Sequence, residues 1–178
     1  MTTLKQSHGA EFTRIYSYGA ARGDRVVGND ELIEAIDSSD EWIQQRTGIV
    51  TRTRASAGLG AVDLATEAAS EAIAKSGVSP DQIDPADALI RSGAAHYALV
   101  IGAEKLSDIV DPTDRSISFL LGDGAGAVVI GPSDFPGIAA AVWGSDGSKA
   151  DAVGMDSTLT EYRDGSAKWP TLRQDGQT

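Results

Sequence analysis

A chain of 178 residues with 41% hydrophobic and 23% charged side chains is long enough to bury a core, and too evenly mixed for a disordered or membrane-embedded chain. Its formal charge of −11 works against extended contact with nucleic acid or anionic lipid, both of which need a basic surface, so an anionic ligand requires a local basic pocket. The lack of any cysteine excludes disulfides, thiolate metal sites and thiol nucleophiles together.

Met1 to Glu11 holds no apolar stretch of signal-peptide length, and runs such as Ile138 to Trp143 fall far short of a bilayer span, so a cytoplasmic location and no membrane partner are expected. Phe12 to Ala20 mixes apolar and aromatic residues and runs into Gly19 and Gly23, predicting a first strand and an irregular turn. Asn29 caps a predicted helix through Leu32, Ile33 and Ile36 that ends near Asp37. Ser39 offers a second cap, with Asp40 and Glu41 in the first turn and Gly48 as terminator; this short helix carries Trp42 and Arg46. From Asp63 to Ser76 the residues Leu64, Ala65, Ala68, Ala69, Ala72 and Ile73 form one stripe, a longer helix closed by Gly77.

Ser79, Pro80 and Asp81 begin a turn, and Pro85 to Arg91 reads as a short helix ending at Gly93. An α/β chain would place a strand after Asp81 to Asp84, yet Pro85 and a helical pattern arrive at once, as if a strand were missing. Tyr97 to Gly102 predicts a strand buried on both faces; Ala125 to Gly131 and Gly137 to Gly144 predict two more. From Ser145 onward the chain is polar, Gly-rich and weakly patterned, with no regular structure expected after Lys168.

Gly122-Asp123-Gly124-Ala125-Gly126-Ala127 invites a dinucleotide-binding reading, but the spacing is not GxGxxG and a strand follows, so a turn that lets backbones pass closely fits better. His8 and His96 have no spaced partners, and neither a metal site nor a Ser-His-Asp arrangement follows from them. Asp111 to Arg115 reads as a turn in which Pro112 fixes φ and Asp111 accepts backbone hydrogen bonds. Trp42 and Arg46, four apart, face the same way; alone they describe a packed indole beside a solvated guanidinium.

Asp37-Ser38-Ser39-Asp40-Glu41-Trp42-Ile43, then Arg46-Thr47-Gly48-Ile49, Asp111 to Arg115 and Gly122 to Ala127, in that order and spacing, resemble the β-ketoacyl-acyl-carrier-protein synthase III family. The resemblance runs from Phe12 to about Gly147. It implies an α/β fold, the thiolase-like amino-terminal half with an incomplete mixed sheet flanked by helices. Residues 1–178 are then one truncated domain with an internal deletion between 84 and 85, and 148–178 a linker-like tail. By resemblance, Trp42 and Arg115 sandwich the coenzyme A adenine with Arg46 beside the nucleotide, an indole and a guanidinium both stacking on a purine. It implies no metal and no resident cofactor, coenzyme A thioester as ligand, acyl-CoA or acyl carrier protein as partners, and a homodimer. The family acylates a cysteine, and this chain has none. The missing stretch would hold two strands, the dimer-contacting segment and that nucleophile; the family's histidine and asparagine would lie beyond Thr178, and neither His8 nor His96 matches the histidine. No residue is therefore assigned a catalytic role. The expectation is an inactive homologue, with a coenzyme A or carrier-protein binding module, or a remnant without function, as alternatives. The loss is also expected to bare the free edge of the first strand.

Overall fold

A computed structural model describes residues 9–84, 87–139, 142 and 144–174. The elements run β1 (Phe12–Arg22), β2 (Arg25–Gly28), α1 (Asp40–Thr47), β3 (Thr51–Arg54), α2 (Ala61–Ser76), β4 (Ile83–Asp84), α3 (Asp87–Ser92), β5 (Tyr97–Lys105), β6 (Asp123–Ser133), β7 (Val153–Met155), α4 (Leu159–Arg163) and β8 (Leu172–Gln174). Contacts divide them into two compact units. One comprises the chain up to Arg22, Gly60–Glu104 and Gly124–Val142; the other comprises Gly23–Leu59, Lys105–Asp123 and the chain beyond Val142. No helix among the described residues is long and apolar enough to cross a membrane.

The first unit is a four-stranded mixed sheet in the order β1-β6-β5-β4, β1 antiparallel to β6 and β4 parallel to β5. α2 lies against β1 through Leu64, Ala68, Ala69 and Ala72, the stripe read from the sequence, and ends at Gly77 in the left-handed region. Ser17 Oγ on β1 donates to the Ala72 carbonyl at 2.5 Å. A second cluster, Ile90, Ala95, Ala98 and Ile130, joins α3 to the sheet.

Two expectations about this sheet are corrected. β5 is not buried on both faces: Val100 and Ile101 are about half exposed. β4 pairs with β5 through two residues only. The order β1-β6-β5-β4 leaves β1 at one edge of the sheet, as expected. The strand expected over 137–144 is also absent among its described residues. Ile138 N–H donates to the Thr13 carbonyl at 2.8 Å, and residues 140, 141 and 143 lie outside the described part.

In the second unit β2 and β3 form an antiparallel ribbon beside α1. Its core is Val27, Leu32, Ile36, Ile43 and Phe119, with Trp42, Ile49 and Leu120 partly buried against it. The helix expected after Asn29 is a series of turns, with Asp37 at φ 47°. Asn29 does not cap with its side chain because both ends are taken: Nδ2 donates to Asp40 Oδ1 and to the Ile49 carbonyl, and Oδ1 accepts from the buried Arg52 guanidinium. Leu32 and Ile36 are still buried, so the apolar spacing predicted burial where it failed to predict the helix.

The segment beyond residue 147 is not structureless. β7 and β8 form an antiparallel ribbon, and Leu172 N–H donates to the Ile109 carbonyl at 2.8 Å. Hydrogen bonds carry that ribbon, with Asp156 accepting from Thr171 and Arg173, and its strands are too short and polar for periodicity to register.

Candidate nucleotide site

Trp42 is placed by a helix whose ends the sequence dictates. Ser39 Oγ accepts the Trp42 N–H at 3.2 Å, and Asp40 and Glu41 lie at the positive end of the macrodipole. Gly48 closes α1 at φ 72°, a conformation costly for other L residues. Asp40 is held below the usual carboxylate range by hydrogen bonds from Gln44 and Asn29, which also tie the start of α1 to the β2–β3 ribbon through Arg52.

Arg115 is placed by two successive turns. Asp111 Oδ1 accepts from the N–H and hydroxyl of Thr113, and Asp114 Oδ1 accepts from the N–H and hydroxyl of Ser116. The Thr113 hydroxyl and N–H lower the Asp111 pKa, keeping it the acceptor that the turn requires. The chain then delivers Phe119 to the core, its ring meeting Trp42 edge-on with centroids 5.3 Å apart.

The structure brings the three sequence-predicted residues together. The Arg115 guanidinium lies 4.7 Å and the Arg46 guanidinium 4.9 Å from the centroid of the Trp42 ring. They line a cavity of about 410 Å³ with Thr47, Ser116, Phe119, Leu120 and Gln174. None of these lining residues is acidic, so the cavity is a basic spot on an acidic chain. A base between Trp42 and Arg115 needs roughly 7 Å, two van der Waals contacts of about 3.5 Å each, so Arg115 must swing away from the indole to admit one. Phe119 and Leu120 were not singled out from sequence; their signal was an apolar run after the Asp111 to Arg115 turn. Gln174 lies in the polar tail and carried no signal.

Gly122 to Ala127 is not the turn its spacing implied: β6, not a helix, begins at Asp123, and the close approach is at Gly122, where a Cβ would lie 2.8 Å from the Thr53 carbonyl oxygen. Its Asp123 is a residue sequence reading missed. It is buried and accepts from Ala55 N–H, Ser107 N–H and the Ser107 hydroxyl, tying the ends of two segments of the second unit together. His8 lies outside the described residues. His96 lines a separate cavity of about 250 Å³ with Gln82 and Gly93. Among the described residues no group of three or more His, Cys, Asp or Glu could hold a metal ion.

The profile of 3-oxoacyl-[acyl-carrier-protein] synthase III matches residues 74–147. The chain is 40% identical to the β-ketoacyl-[acyl-carrier-protein] synthase III of Kocuria rhizophila, an alignment that covers all of this chain and 70% of that protein. It belongs to the synthase III family. The enzyme of the same name from Tropheryma whipplei is 39% identical over 94% of this chain and 66% of its own length. The chain thus spans about two thirds of the relatives it matches. The Kocuria alignment runs over 247 positions against 178 residues here, so at least 69 positions of the relative (247 less 178) have no counterpart in this chain.

Among solved structures, the priming β-ketosynthase of the R1128 polyketide pathway superposes with a TM-score of 0.92 at 31% identity, covering 99% of this chain and 66% of that one. The 3-oxoacyl-(acyl carrier protein) synthase III of Pseudomonas aeruginosa superposes at 0.80 and 29%, covering 94% and 66%. The synthase III fold here is thiolase-like α/β, as the sequence motifs implied.

Proposed function

We propose that this chain is a synthase III homologue that docks the adenine end of coenzyme A against Trp42 without becoming acylated. One observation carries the reading: two guanidinium groups converge on a single indole at a cavity with no acidic lining residue. An indole and a planar cation stack on a purine, and a second cation offsets phosphate charge. The condensing chemistry of intact relatives needs an activated thiol, and no cysteine exists in these residues. On this reading the shortening lies between Asp84 and Pro85, as the resemblance implies. An unactivated serine hydroxyl does not replace the thiolate. The setting is cytoplasmic fatty acid synthesis, with acyl-CoA or acyl carrier protein as partners and no metal in the reaction, as the resemblance implies.

Affinity is bounded by the same geometry. Base stacking contributes roughly 1 to 3 kcal/mol and an exposed ion pair about 0 to 1. Lifting Arg115 off the indole costs about 0.5 to 1 kcal/mol of cation–π attraction. The sum, about 3.5 kcal/mol at best, corresponds to a dissociation constant of a few millimolar, since 1 mM takes about 4 kcal/mol. Ligand-observed NMR tests this: coenzyme A and 3′-phospho-ADP should bind about equally, both weakened by Trp42→Ala and Arg115→Ala. Submicromolar affinity, or binding indifferent to both substitutions, places the site elsewhere.

A further inference from the structure

We infer that Gln174 selects the base in this pocket, its side-chain amide holding the 6-amino group of adenine; the inference rests on the nucleotide reading above. A base stacked on Trp42 turns its edge to the pocket wall, and adenine offers there a donor, the 6-amino group, beside an acceptor ring nitrogen. Arg46, Arg115 and the indole are donors only, so none of them can receive the amino group. The neutral polar side chains of the lining are those of Thr47, Ser116 and Gln174. The Thr47 hydroxyl donates to the Ile43 carbonyl at 2.8 Å and accepts from Ile49 N–H at 3.1 Å. The Ser116 hydroxyl donates to Asp114 Oδ1 at 2.6 Å. The Gln174 amide makes no hydrogen bond to any described residue. Among the described lining residues, Gln174 therefore presents a donor and an acceptor that are both uncommitted.

The β7–β8 ribbon puts that amide in place. Along β8, Leu172 and Gln174 are partly buried and Arg173 between them is exposed, the alternation of a strand with one covered face. Arg173 Nε donates to Asp156 Oδ2 at 3.1 Å, and Gln174 shares the covered face of Leu172. The strand is anchored at both sides. Leu172 N–H donates to the Ile109 carbonyl and Leu172 bridges Val110, while Asp156 accepts from the N–H and hydroxyl of Thr171 at 2.8 and 2.9 Å. Ile109 and Val110 lead directly into the turns that carry Arg115. Gln174 and Arg115 are thus held by bonded neighbouring segments, and both line the same cavity.

A carboxamide pairs with adenine through two parallel hydrogen bonds, its oxygen accepting from the 6-amino group and its NH2 donating to the ring nitrogen beside it. Both partners are hydrated before they meet, so the contact selects more than it tightens. Removing the 6-amino group should weaken binding about threefold, a factor that leaves the affinity in the millimolar range.

The test compares ADP with purine riboside 5′-diphosphate, which differs only in lacking the 6-amino group, by NMR titration of the full chain. The unsubstituted protein should bind ADP about threefold more tightly. Gln174→Leu should bind the two nucleotides equally, with circular dichroism confirming that it folds. Gln174→Glu keeps the acceptor and should keep the preference, while its charge weakens both nucleotides through their phosphates. Equal binding of the two nucleotides by the unsubstituted protein, or a preference that survives Gln174→Leu, would overturn the inference and leave the nucleotide site standing, provided that Trp42→Ala weakens both. If Trp42→Ala weakens neither nucleotide, the site and the inference fall together.

Discussion

Trp42 serves two ends, and its neighbours separate them. Its inner side packs with Phe119 in the core of the second unit, while Arg46 and Arg115 lie over its ring. Trp42→Ala should therefore cost roughly 3 kcal/mol of stability in urea titration, the low end for a Trp truncation because the indole is only partly buried. Arg115→Ala should cost no more than about 1 kcal/mol, the value of an exposed cation–π contact, and act mainly on ligand binding. Asp156 offers a pH test. Hydrogen bonds from Thr171 and then Arg173 lower its pKa from 3.8 to about 2. A depressed carboxylate stabilises the folded ribbon above its unfolded pKa, and that contribution is lost as pH falls through about 2. The Thr171 amide resonance should accordingly shift between pH 4 and 2, with its midpoint near the lower end; a midpoint near 4 would show that the Asp156 contacts do not form. At this scale the sequence showed Trp42 and Arg46 through helical spacing. The meeting with Arg115, about seventy positions away, came only through family motifs. Gln174 could not be read, because nothing local distinguishes a polar strand residue from a tail.

Elements with strong end signals were legible, and elements fixed by tertiary partners were not. α1 has Ser39, two acidic residues and Gly48 at the right places, and it forms where those signals put it. Ser39→Ala should destabilise the second unit by about 1 kcal/mol and Gly48→Ala by about 1 to 2 kcal/mol, both read from thermal unfolding; unchanged stability in both would mean that α1 is held by packing alone. The stretch after Asn29 has helical spacing too, but Asn29 is recruited by Arg52, Asp40 and Ile49, and turns replace the helix. β5 was read as doubly buried because an apolar run carries no record of whether its neighbours are present. The β7–β8 ribbon went unread because its order rests on the bonds of Asp156 and the Leu172 link to Ile109.

Over the whole molecule, at least 69 positions of the Kocuria relative are unmatched, and β4 is a strand of two residues. The pocket of the second unit draws on residues far apart in sequence, Trp42 and Arg46 before β4 and Arg115 after β5. The proposed function separates binding from chemistry, and the two are tested together. The most direct measurement is incubation with labelled acyl-CoA at millimolar concentration, where ligand-observed NMR reports binding, followed by mass spectrometry of the denatured chain. The expected result is a binding signal together with an unmodified mass. A stoichiometric acyl adduct would contradict the account.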